Sequence, residues 1–478
     1  MMISIFDNAF SVVKSQKSVS DSDNRLRRAH GKQRGAGLLS IALLATVLIP
    51  GAAYSAENDG VRVWNERAVV TLTNGTTAVA PGLQFAPPVA FIHMAIVQGA
   101  VYDAVNAIKG GHQPYLKGLK AATSASQGAA ASTAAHHALI GLVNQAPETA
   151  SLTADVKAAI KTRLDTEYAS SLAEIPAGQS KTKGIEVGAA AAAAMLANRA
   201  GDGRFGAPGF PVPAVPGPGE WRPISAAASA NDPNGWVRSV RPFTLPRPEY
   251  FHTPGPLALT SSEYADEFNE VKELGKEPGS TRTADQTSLA NWSTTNPVVM
   301  LYPAMRQVAA SKGLTITEQA RFHAMTAMSG ADSLINCWAE KAHWNFWRPI
   351  TAIHLADTDG NPATDADTGW ASLGNLPPYP DEPSGANCVY SGVMNAAKAF
   401  FGSDQAIFSI TGGGSTRNYT SFSAVIPDVI EARILLGIHF RRPDVNGAEL
   451  GRKVAEYVDA NYFNCSPPGQ CRQEQKSR

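Results

Sequence analysis

The amino-acid sequence predicts an all-α fold of packed helices. Two alanine-rich segments, residues 121–145 and 185–199, have the spacing and the residue types of helices that pack against neighbours. Residues 156–168 have the periodicity of an amphipathic helix. The apolar–polar alternation that indicates β-strands is nearly absent. A chain with long helical patterns and almost no strand pattern is typical of the all-α class.

Length and charge set the broad class of protein. The 478 residues suffice for one large domain or a few smaller ones. Lysine and arginine together number 41, and so do aspartate and glutamate, so no global field attracts nucleic acid or an anionic membrane. We therefore expect no nucleic-acid partner, and basic residues that matter should form a local site.

The N-terminal segment, residues 1–56, has the layout of a signal peptide after a long leader. Basic residues between Arg25 and Arg34 precede an apolar run from Leu38 to Ile49, and mostly small residues follow up to Ala56. The apolar run is short for a membrane span, so we expect cleavage near Ala53–Ala56 and no stable span afterwards. An uncleaved anchor is the alternative. Cleavage predicts an extracytoplasmic protein, periplasmic or secreted.

The remaining chain divides into four predicted segments. An N-terminal helical half covers residues 57–200, and a Pro/Gly-rich connecting loop covers 201–255. Loops of that length in compact proteins are often functional or act as lids. A C-terminal helical half covers 256–463, and residues 464–478 form a tail. The helical pattern of the C-terminal half is interrupted, with predicted helices at residues 262–274, 286–292, 303–311 and 317–347.

Two cations near residue 345 are the first candidate site residues. Lys341 and Arg348 are seven residues apart, so on one helix they share a face, and Pro349 is expected to end that helix. Trp344 and the neighbouring aromatics suggest a site shielded from bulk water, where charged hydrogen bonds are stronger. The alternative is a helix end with two solvated cations and a core-facing aromatic stripe.

Two later blocks favour a site for an anion. Ser384 precedes a segment with few helix breakers, so it is a candidate N-cap, and the free N–H of Gly385 would lie at an anion-binding helix start. Arg433 and His439 add a guanidinium and an imidazole. A lysine, two arginines, a hydroxyl, backbone N–H groups and a histidine can form a cradle for a tetrahedral oxyanion.

In this order the three blocks resemble the signature of vanadium-dependent haloperoxidases and the related type 2 phosphatidic acid phosphatases. The blocks read Lys-x6-Arg-Pro, Pro-Ser-Gly and Arg-x5-His. Residues 64–66, residues 102–108 and the stretch around Asp332 are similar to the longer, haloperoxidase-type members, so the resemblance covers most of residues 60–460. It implies helical bundles of the vanadium haloperoxidase type.

The resemblance also implies a cofactor and roles for the site residues. In a haloperoxidase, His439 would coordinate the vanadium of vanadate, and hydrogen peroxide and halide would be the substrates. In a phosphatase, His439 would be the nucleophile that forms a phosphohistidine from a small phosphate ester. The candidate catalytic and cofactor-binding residues are the same six in both cases: Lys341, Arg348, Ser384, Gly385, Arg433 and His439.

Three positions depart from the family pattern. The family continues Pro-Ser-Gly with a histidine, the acid–base group, where this chain has Ala386. A family serine is replaced by Ala432, and Pro443 displaces the aspartate that follows the ligand histidine to Asp444. The group that orients His439 is therefore open. These losses leave a third interpretation, a catalytically weak oxyanion-binding homologue.

The remaining polar residues have more ordinary predicted roles. Asp381 and Glu382, just before Pro-Ser-Gly, are the nearest stand-ins for the missing acid–base group, although we expect them to be solvated in a loop. The Asp-rich residues 357–367 predict a surface loop and not a calcium site. Cys465 and Cys471 flank a short turn and are expected to form a disulfide after export. A homo-oligomer is compatible with the sequence.

Overall fold

The helices and strands are as follows. The computed structural model describes residues 56–225 and 231–467, and every statement below refers to these residues. The helices are α1 Ala56–Thr73, α2 Pro87–Lys109, α3 Gln127–Gln145, α4 Ala154–Ala173, α5 Gln179–Asn198, α6 Ser262–Leu274, α7 Ala284–Trp292, α8 Pro297–Ser311, α9 Ile316–Trp344, α10 Pro349–His354, α11 Gly385–Phe401, α12 Val425–Leu435 and α13 Arg441–Asn461. The strands are β1 Gln405–Gly412 and β2 Ser415–Ser421.

The predicted all-α class is confirmed, with one small β-hairpin added. Strands β1 and β2 pair antiparallel and are joined at Gly413 and Gly414, which both have positive φ. Buried and exposed residues alternate along β1, as a half-buried strand requires. The alternating pattern is short and isolated in a helical chain, so the hairpin was not predicted.

Two long helices form the centre of the molecule. Helix α2 is buried along almost its whole length and packs against α3, α5 and α9. It is the one helix of the described residues that is long and apolar enough to cross a membrane, and its apolar window is enclosed by protein on all sides. Helix α9 also packs against α11 and α13, so the apolar composition of α2 serves the core.

The hydrophobic core runs through both predicted helical halves. The larger buried cluster includes residues from Val61 in α1 to Phe463 after α13. A smaller cluster joins α6, α10 and the segment between α9 and α10, with Trp347 and Phe440 fully buried in it. This smaller cluster covers one side of the region that carries the signature residues.

A polar stripe on α9 anchors the connecting loop. Asp332, Asn336 and Glu340 follow one another at intervals of four residues, so they share a helix face, and all three are fully buried. Buried carboxylates and amides require hydrogen-bond partners, and the loop provides them. The backbone N–H groups that bond to this stripe are those of Phe243, Thr244, Leu245, Phe251 and Thr253.

The predicted single helix from residue 317 to 347 is wrong at its C-terminal end. Helix α9 stops at Trp344, because Asn345 adopts the left-handed conformation with φ 45°. The backbone after it pairs with the connecting loop, where Trp221 N donates to Asn345 O and Trp347 N donates to Gly219 O. A new helix then starts at Pro349, the first-turn position that proline favours.

Candidate active site

The break after α9 changes how the first two cations are presented. Lys341 lies in the last turn of α9, whereas Arg348 is the extended N-cap residue of α10. The prediction that they share one helix face is therefore wrong. They still converge, since each side chain turns to the segment 379–383 and donates to backbone carbonyl groups there.

His439 is fixed by a buried carboxylate. Its Nδ1 lies 2.6 Å from Oδ1 of Asp381, and both side chains are almost completely inaccessible to solvent. Nη1 of Arg348 lies 3.2 Å from Nε2 of the same ring. The same Nη1 lies 3.5 Å from Nδ1, so this contact does not distinguish the two ring nitrogens. A carboxylate can only accept, so Nδ1–H donates to Asp381 and Nε2 of the neutral ring has the free lone pair. Burial first, and then the nearby Arg348, Lys341 and Arg433, lower the pKa of His439 well below its usual value. The imidazole is therefore neutral.

Arg348 connects the histidine to the surrounding backbone. Nη1 donates to Ile438 O at 2.6 Å and to Oδ1 of Asp381 at 3.2 Å, and Nε donates to Tyr379 O at 2.9 Å. The guanidinium also lies over the Tyr379 ring. Nη2 is buried and has no acceptor. A buried guanidinium nitrogen without an acceptor is costly, so this atom is available for a bound anion.

Lys341 is held differently from the arginine. It is completely buried, and Nζ donates to the carbonyl oxygens of Pro380, Asp381 and Pro383 at 2.8, 3.0 and 2.5 Å. An ammonium group has three protons, so this geometry uses all of them. Burial lowers the pKa of Lys341 to about 8. In this arrangement the lysine shapes the segment before Ser384 and has no proton left for an anion.

Ser384 occupies the N-cap position of α11, as predicted, but its hydroxyl does not cap the helix. The hydroxyl instead accepts from Nδ2 of Asn387 at 3.3 Å. The first N–H groups of a helix have no intrahelical acceptor, so those of Gly385 and Ala386 point out of the helix start. Helix dipole and free N–H groups together favour an anion there.

Helix α13 approaches this helix start very closely. Ser384 N donates to Pro443 O at 2.8 Å, and a Cβ added to Gly447 would lie 2.5 Å from Ser384 O. Asp444, the displaced aspartate of the third block, accepts a hydrogen bond from Nδ2 of Asn387 at 2.7 Å. Burial raises the pKa of Asp444 well above its usual value, against the opposing effect of the Ser384 hydroxyl. Asp444 therefore belongs to the helix start and not to His439.

Arg433 contributes a second guanidinium with a free donor. It lies in the last turn of α12 and is half-buried, with Nη1 3.4 Å from Ser293 O. Its Nε is buried and has no acceptor. Arg433 lowers the pKa of both His439 and Arg348, so its charge acts at the same place as theirs.

The expectation that Asp381 and Glu382 are solvated is wrong. Both side chains are 0% exposed. Burial raises the pKa of each carboxyl to about 7, while Arg348 opposes the rise at Asp381 and Asn446 opposes it at Glu382. The two sit in a loop, as predicted, but Lys341 of α9, the N-cap residue Arg348 of α10 and Asn446 of α13 contact that loop. Their position directly before Pro-Ser-Gly was the one available signal for a role in the site.

The structure also bears on the predicted Asp-rich loop and on the predicted disulfide. Asp359 is buried and accepts from the backbone of Asn361 and the hydroxyl of Thr364, which is the pattern of an Asx-rich loop. The described residues contain no group of three His, Cys, Asp or Glu side chains placed to bind a metal ion. Cys465 is disulfide-bonded, while its predicted partner Cys471 and the predicted signal peptide lie outside the described residues.

The arrangement is suited to hold a tetrahedral oxyanion next to an imidazole. Each of the two arginines has a buried donor without an acceptor, Nη2 in Arg348 and Nε in Arg433. The N–H groups at the start of α11 add neutral donors, and His439 provides a ring nitrogen that is a ligand or nucleophile once Arg348 releases it. No side chain beyond Cβ is present at position 386, so proton transfer needs another group.

Comparison with known proteins supports this picture at the level of fold. Residues 321–465 match the family model of the VCPO second helical-bundle domain. None of the curated protein sequences matches the chain. The matched residues contain all three signature blocks.

Solved structures extend the similarity to most of the chain. One is a bacterial vanadium-dependent iodoperoxidase, with TM-score 0.63 and 20% identity over 85% of this chain and 96% of that chain. A bacterial vanadium-dependent chloroperoxidase matches in its apo form with TM-score 0.61 and 16% identity, over 79% and 94% of the two chains. Its holo form matches with TM-score 0.62 and 16% identity, over 83% and 95%. The chain therefore has the fold of the vanadium haloperoxidase superfamily, and the resemblance seen in its sequence is confirmed.

Proposed function

We propose that this protein is an exported, vanadate-dependent haloperoxidase-like enzyme that oxidises halide with hydrogen peroxide. The observation that carries the proposal is the neutral His439, held by Asp381 beside two arginines that each keep a buried donor without an acceptor. The similarity in fold to vanadium-dependent iodo- and chloroperoxidases supports the choice of chemistry.

Vanadate fits the donor set of this site. It is a tetrahedral oxyanion, and Nη2 of Arg348 and Nε of Arg433 would each donate to its oxygens. The N–H groups of Gly385 and Ala386 would hold it at the start of α11, and the Ser384 hydroxyl would join them by turning from Asp444. His439 would be the one protein ligand to vanadium. Bound vanadate supplies the activation of hydrogen peroxide toward attack by halide.

The protein residues prepare the site before any substrate arrives. Asp381 keeps the proton on Nδ1 of His439 and leaves Nε2 as the coordinating atom. Arg348 and His439 are almost completely buried, and charged hydrogen bonds are stronger in such an environment than in water. Lys341 holds the segment 380–383 in place through its three carbonyl contacts, a positioning role that replaces the direct contact to oxyanion expected from the sequence.

Two assays with and without vanadate test the proposal. Purified protein is given hydrogen peroxide and iodide, bromide or chloride, and halogenation of an organic dye is followed. We expect activity that depends on added vanadate and is lost in His439→Ala. In parallel, calorimetry measures vanadate binding to both proteins, and equal affinities would contradict the coordinating role of His439.

An acid phosphatase of the same superfamily is the second candidate, and the same geometry favours it. A neutral histidine whose Nδ1–H is held by a carboxylate is also a competent nucleophile toward phosphorus. Hydrolysis of a small phosphate ester without vanadate, with phosphate trapped on His439, would favour this function.

A catalytically weak oxyanion-binding protein is the third candidate. It is favoured by Ala386, which lacks the acid–base group of the family, and by Lys341, whose three ammonium protons are all bound by carbonyls. Tight vanadate or phosphate binding without turnover in either assay would select it.

Export completes the proposal and concerns residues outside the described part of the chain. We propose that the leader through about Ala56 is removed and that the mature protein is periplasmic or secreted. Hydrogen peroxide and halide are small, diffusible substrates that need no protein partner, and a homo-oligomer stays compatible with the sequence. N-terminal sequencing of protein recovered from the extracytoplasmic fraction tests export, and an intact Met1 in cytoplasmic protein alone would contradict it.

A further inference from the structure

We propose that a hydrogen-bonded chain of four side chains, His252, Glu340, Thr253 and Glu382, carries protons between solvent and the candidate active site. Glu382 is its inner end and takes over the proton-transfer role that is lost with a histidine at position 386. The proposal rests on the proposed function for the reaction that uses the proton, but the path itself is a property of the protein without vanadate.

The outer end of the chain meets solvent. The side chain of His252 is 57% exposed, and its Nδ1 lies 2.9 Å from Oε1 of Glu340, which is 0% exposed. Histidine exchanges protons with water in the neutral pH range, so an exposed imidazole against a buried carboxylate is a suitable entry point. Its ring also lies beside that of His343, which is exposed and outside the chain of bonds.

Thr253 joins the two buried carboxylates. Its Oγ1 lies 3.3 Å from Oε2 of Glu340 and 2.9 Å from Oε1 of Glu382. A hydroxyl can accept from one neighbour and donate to the other, as a proton relay requires. Its position is fixed, because Thr253 N donates to Oε2 of Glu340 at 2.8 Å and Nε1 of Trp344 donates to Oγ1 at 3.0 Å.

One carboxyl oxygen of Glu382 belongs to the hydrogen-bonded chain, and the other has no hydrogen-bond partner. Oε1 accepts from Thr253 and from Nδ2 of Asn446 at 2.8 Å, whereas Oε2 is buried and has no partner. Burial raises the pKa of this carboxyl to about 7, so it can be protonated near neutral pH. The charged groups that face it are Asp381, which raises its pKa, and Lys341, which lowers it.

Glu382 is also close to the site residues in the amino-acid sequence. It is the neighbour of Asp381, which holds His439, and it precedes Ser384 by two residues. Lys341 donates to the carbonyls of the residues on both sides of it, so the segment is rigid. The free oxygen therefore belongs to a fixed segment whose neighbouring residues, Asp381 and Ser384, are site residues.

The transfer conserves protons at every group. When Glu382 gives a proton to the reaction, it takes the hydroxyl proton of Thr253 on its carboxylate. Thr253 takes one from Glu340, which carries it on Oε2, and Glu340 is protonated again on Oε1 by Nδ1 of the imidazolium form of His252. Before the next transfer, rotation of the two carboxyl groups and of the Thr253 hydroxyl returns each proton to the side from which it leaves. His252 recovers its proton from water, so one proton enters from solvent for each one delivered.

A purely structural function does not explain the composition of this chain. Asp332 anchors the same loop from the same face of α9, and its carboxylate receives three backbone N–H groups and the hydroxyl of Thr244. None of these four donors to Asp332 belongs to a titratable side chain. Glu340 differs, because one of its oxygens bonds to the exposed His252 and the other is linked through Thr253 to the buried carboxyl of Glu382.

The test without vanadate follows the exchange of the carboxyl proton of Glu382. Infrared spectra are recorded near pH 6, and the protonated-carboxyl band that is missing in Glu382→Gln is assigned to Glu382. The protein is then mixed with heavy water, and the rate at which this band shifts gives the rate of proton exchange. We expect exchange at least tenfold slower in His252→Ala and Thr253→Val, with restoration in Thr253→Ser. His343→Ala is the matched control and should exchange like wild type. Equal rates in wild type, His252→Ala and Thr253→Val would overturn the proposal.

The test with turnover uses chemical rescue. We expect Glu382→Gln to lower kcat by roughly 10²–10⁴-fold with little change in KM, the usual contribution of a placed acid–base group. His252→Ala should lower kcat as well, and imidazole added to the buffer should restore it because the site of the lost ring is open to solvent. A loss in His252→Ala that imidazole does not restore would contradict the path.

The two tests separate this inference from the proposed function. A wild-type protein that is inert in the halogenation and phosphatase assays contradicts the enzyme proposal, and the exchange rates then decide the path alone. An active wild type whose kcat is the same in Glu382→Gln contradicts the path and leaves the enzyme proposal intact. Circular dichroism checks that each variant is folded, and Thr253→Ser serves as the second variant if Thr253→Val is not.

Discussion

Oδ1 of Asp381 lies 2.6 Å from Nδ1 of His439, although the two residues are 58 positions apart in the chain. The carboxylate comes from the loop before α11, and the imidazole comes from the segment after α12. This contact decides which ring nitrogen is free, because the one bonded to Asp381 keeps its proton. The orienting group that seemed lost with the displacement to Asp444 is thus supplied from a different part of the fold.

Removing the charge of Asp381 should weaken vanadate binding more than it weakens folding. In Asp381→Asn the side chain keeps its size, but the acceptor for Nδ1–H is neutral and Arg348 loses its ion pair. We expect vanadate affinity to fall 10–100-fold, as is usual for carboxylates that orient a metal-bound histidine. Calorimetry measures the affinity, and the exposed Asp357→Asn serves as control. Unchanged affinity in Asp381→Asn would contradict the orienting role.

Restoring a histidine at position 386 should raise turnover. Ala386 lies in the first turn of α11 and has no polar group to lose, so Ala386→His should leave vanadate affinity nearly unchanged. If proton transfer limits the rate, kcat should increase, up to the roughly 10²–10⁴-fold of a well-placed acid–base group. The gain should be larger in a Glu382→Gln background, where the inner end of the proton path is missing. Equal kcat values with and without the histidine in both backgrounds would argue against the prediction.

The buried Glu382 predicts a pH-dependent stability. Burial raises its pKa from 4.5 to about 7, so the folded protein keeps the proton over a range in which the unfolded chain has lost it. The favourable contribution of the protonated Glu382 to the free energy of unfolding is complete below about pH 4.5 and is lost as the pH rises through about 7. It corresponds to at most about 3 kcal/mol.

Glu382→Gln removes this titration and keeps an acceptor for Thr253 and Asn446. Its free energy of unfolding, relative to wild type, should therefore increase between pH 5 and pH 8 in urea unfolding experiments. Glu148→Gln, a substitution of an exposed glutamate, should show no such trend. A constant difference across this range would mean that Glu382 titrates normally.

The close approach of α13 to the start of α11 should not tolerate an extra methyl group. A Cβ at Gly447 would lie 2.5 Å from Ser384 O, a backbone atom that cannot move aside. We expect Gly447→Ala to destabilise the protein by about 1–3 kcal/mol and to weaken vanadate binding through the displaced N–H groups. Gly75→Ala, where a Cβ meets nothing within 4 Å, is the control. Thermal unfolding and calorimetry measure the two effects.

The sequence predicted the fold class and where the signature residues converge. Helical periodicity and the absence of sustained alternation suffice for an all-α fold, and the three blocks bring their side chains to one region through α9, α11 and α12. Their spacing could not show that Asn345 ends α9. That break depends on tertiary pairing with Gly219 and Trp221, which lie more than a hundred residues earlier.

The burial of Asp381 and Glu382 was equally inaccessible to local reasoning. Acidic residues in a Pro-rich loop are normally solvated, and only their burial in contact with residues from three helices makes them part of the site. His252, Thr253 and Asn446 gave no signal at all, because their roles arise from contacts across 64 or more residues. Sequence patterns report neighbours along an element, whereas this part of the site is assembled between elements.

The polar stripe of α9 has a consequence for how small molecules reach the interior. Asp332, Asn336 and Glu340 fasten the connecting loop from residue 243 to 253 by buried bonds, each costing about 1–3 kcal/mol to leave unpaired. Opening that segment would break all of them at once, so it acts as a fixed wall and not as the lid that its length suggested. A small molecule that reaches the buried site residues must therefore do so by a route that leaves residues 243–253 in place.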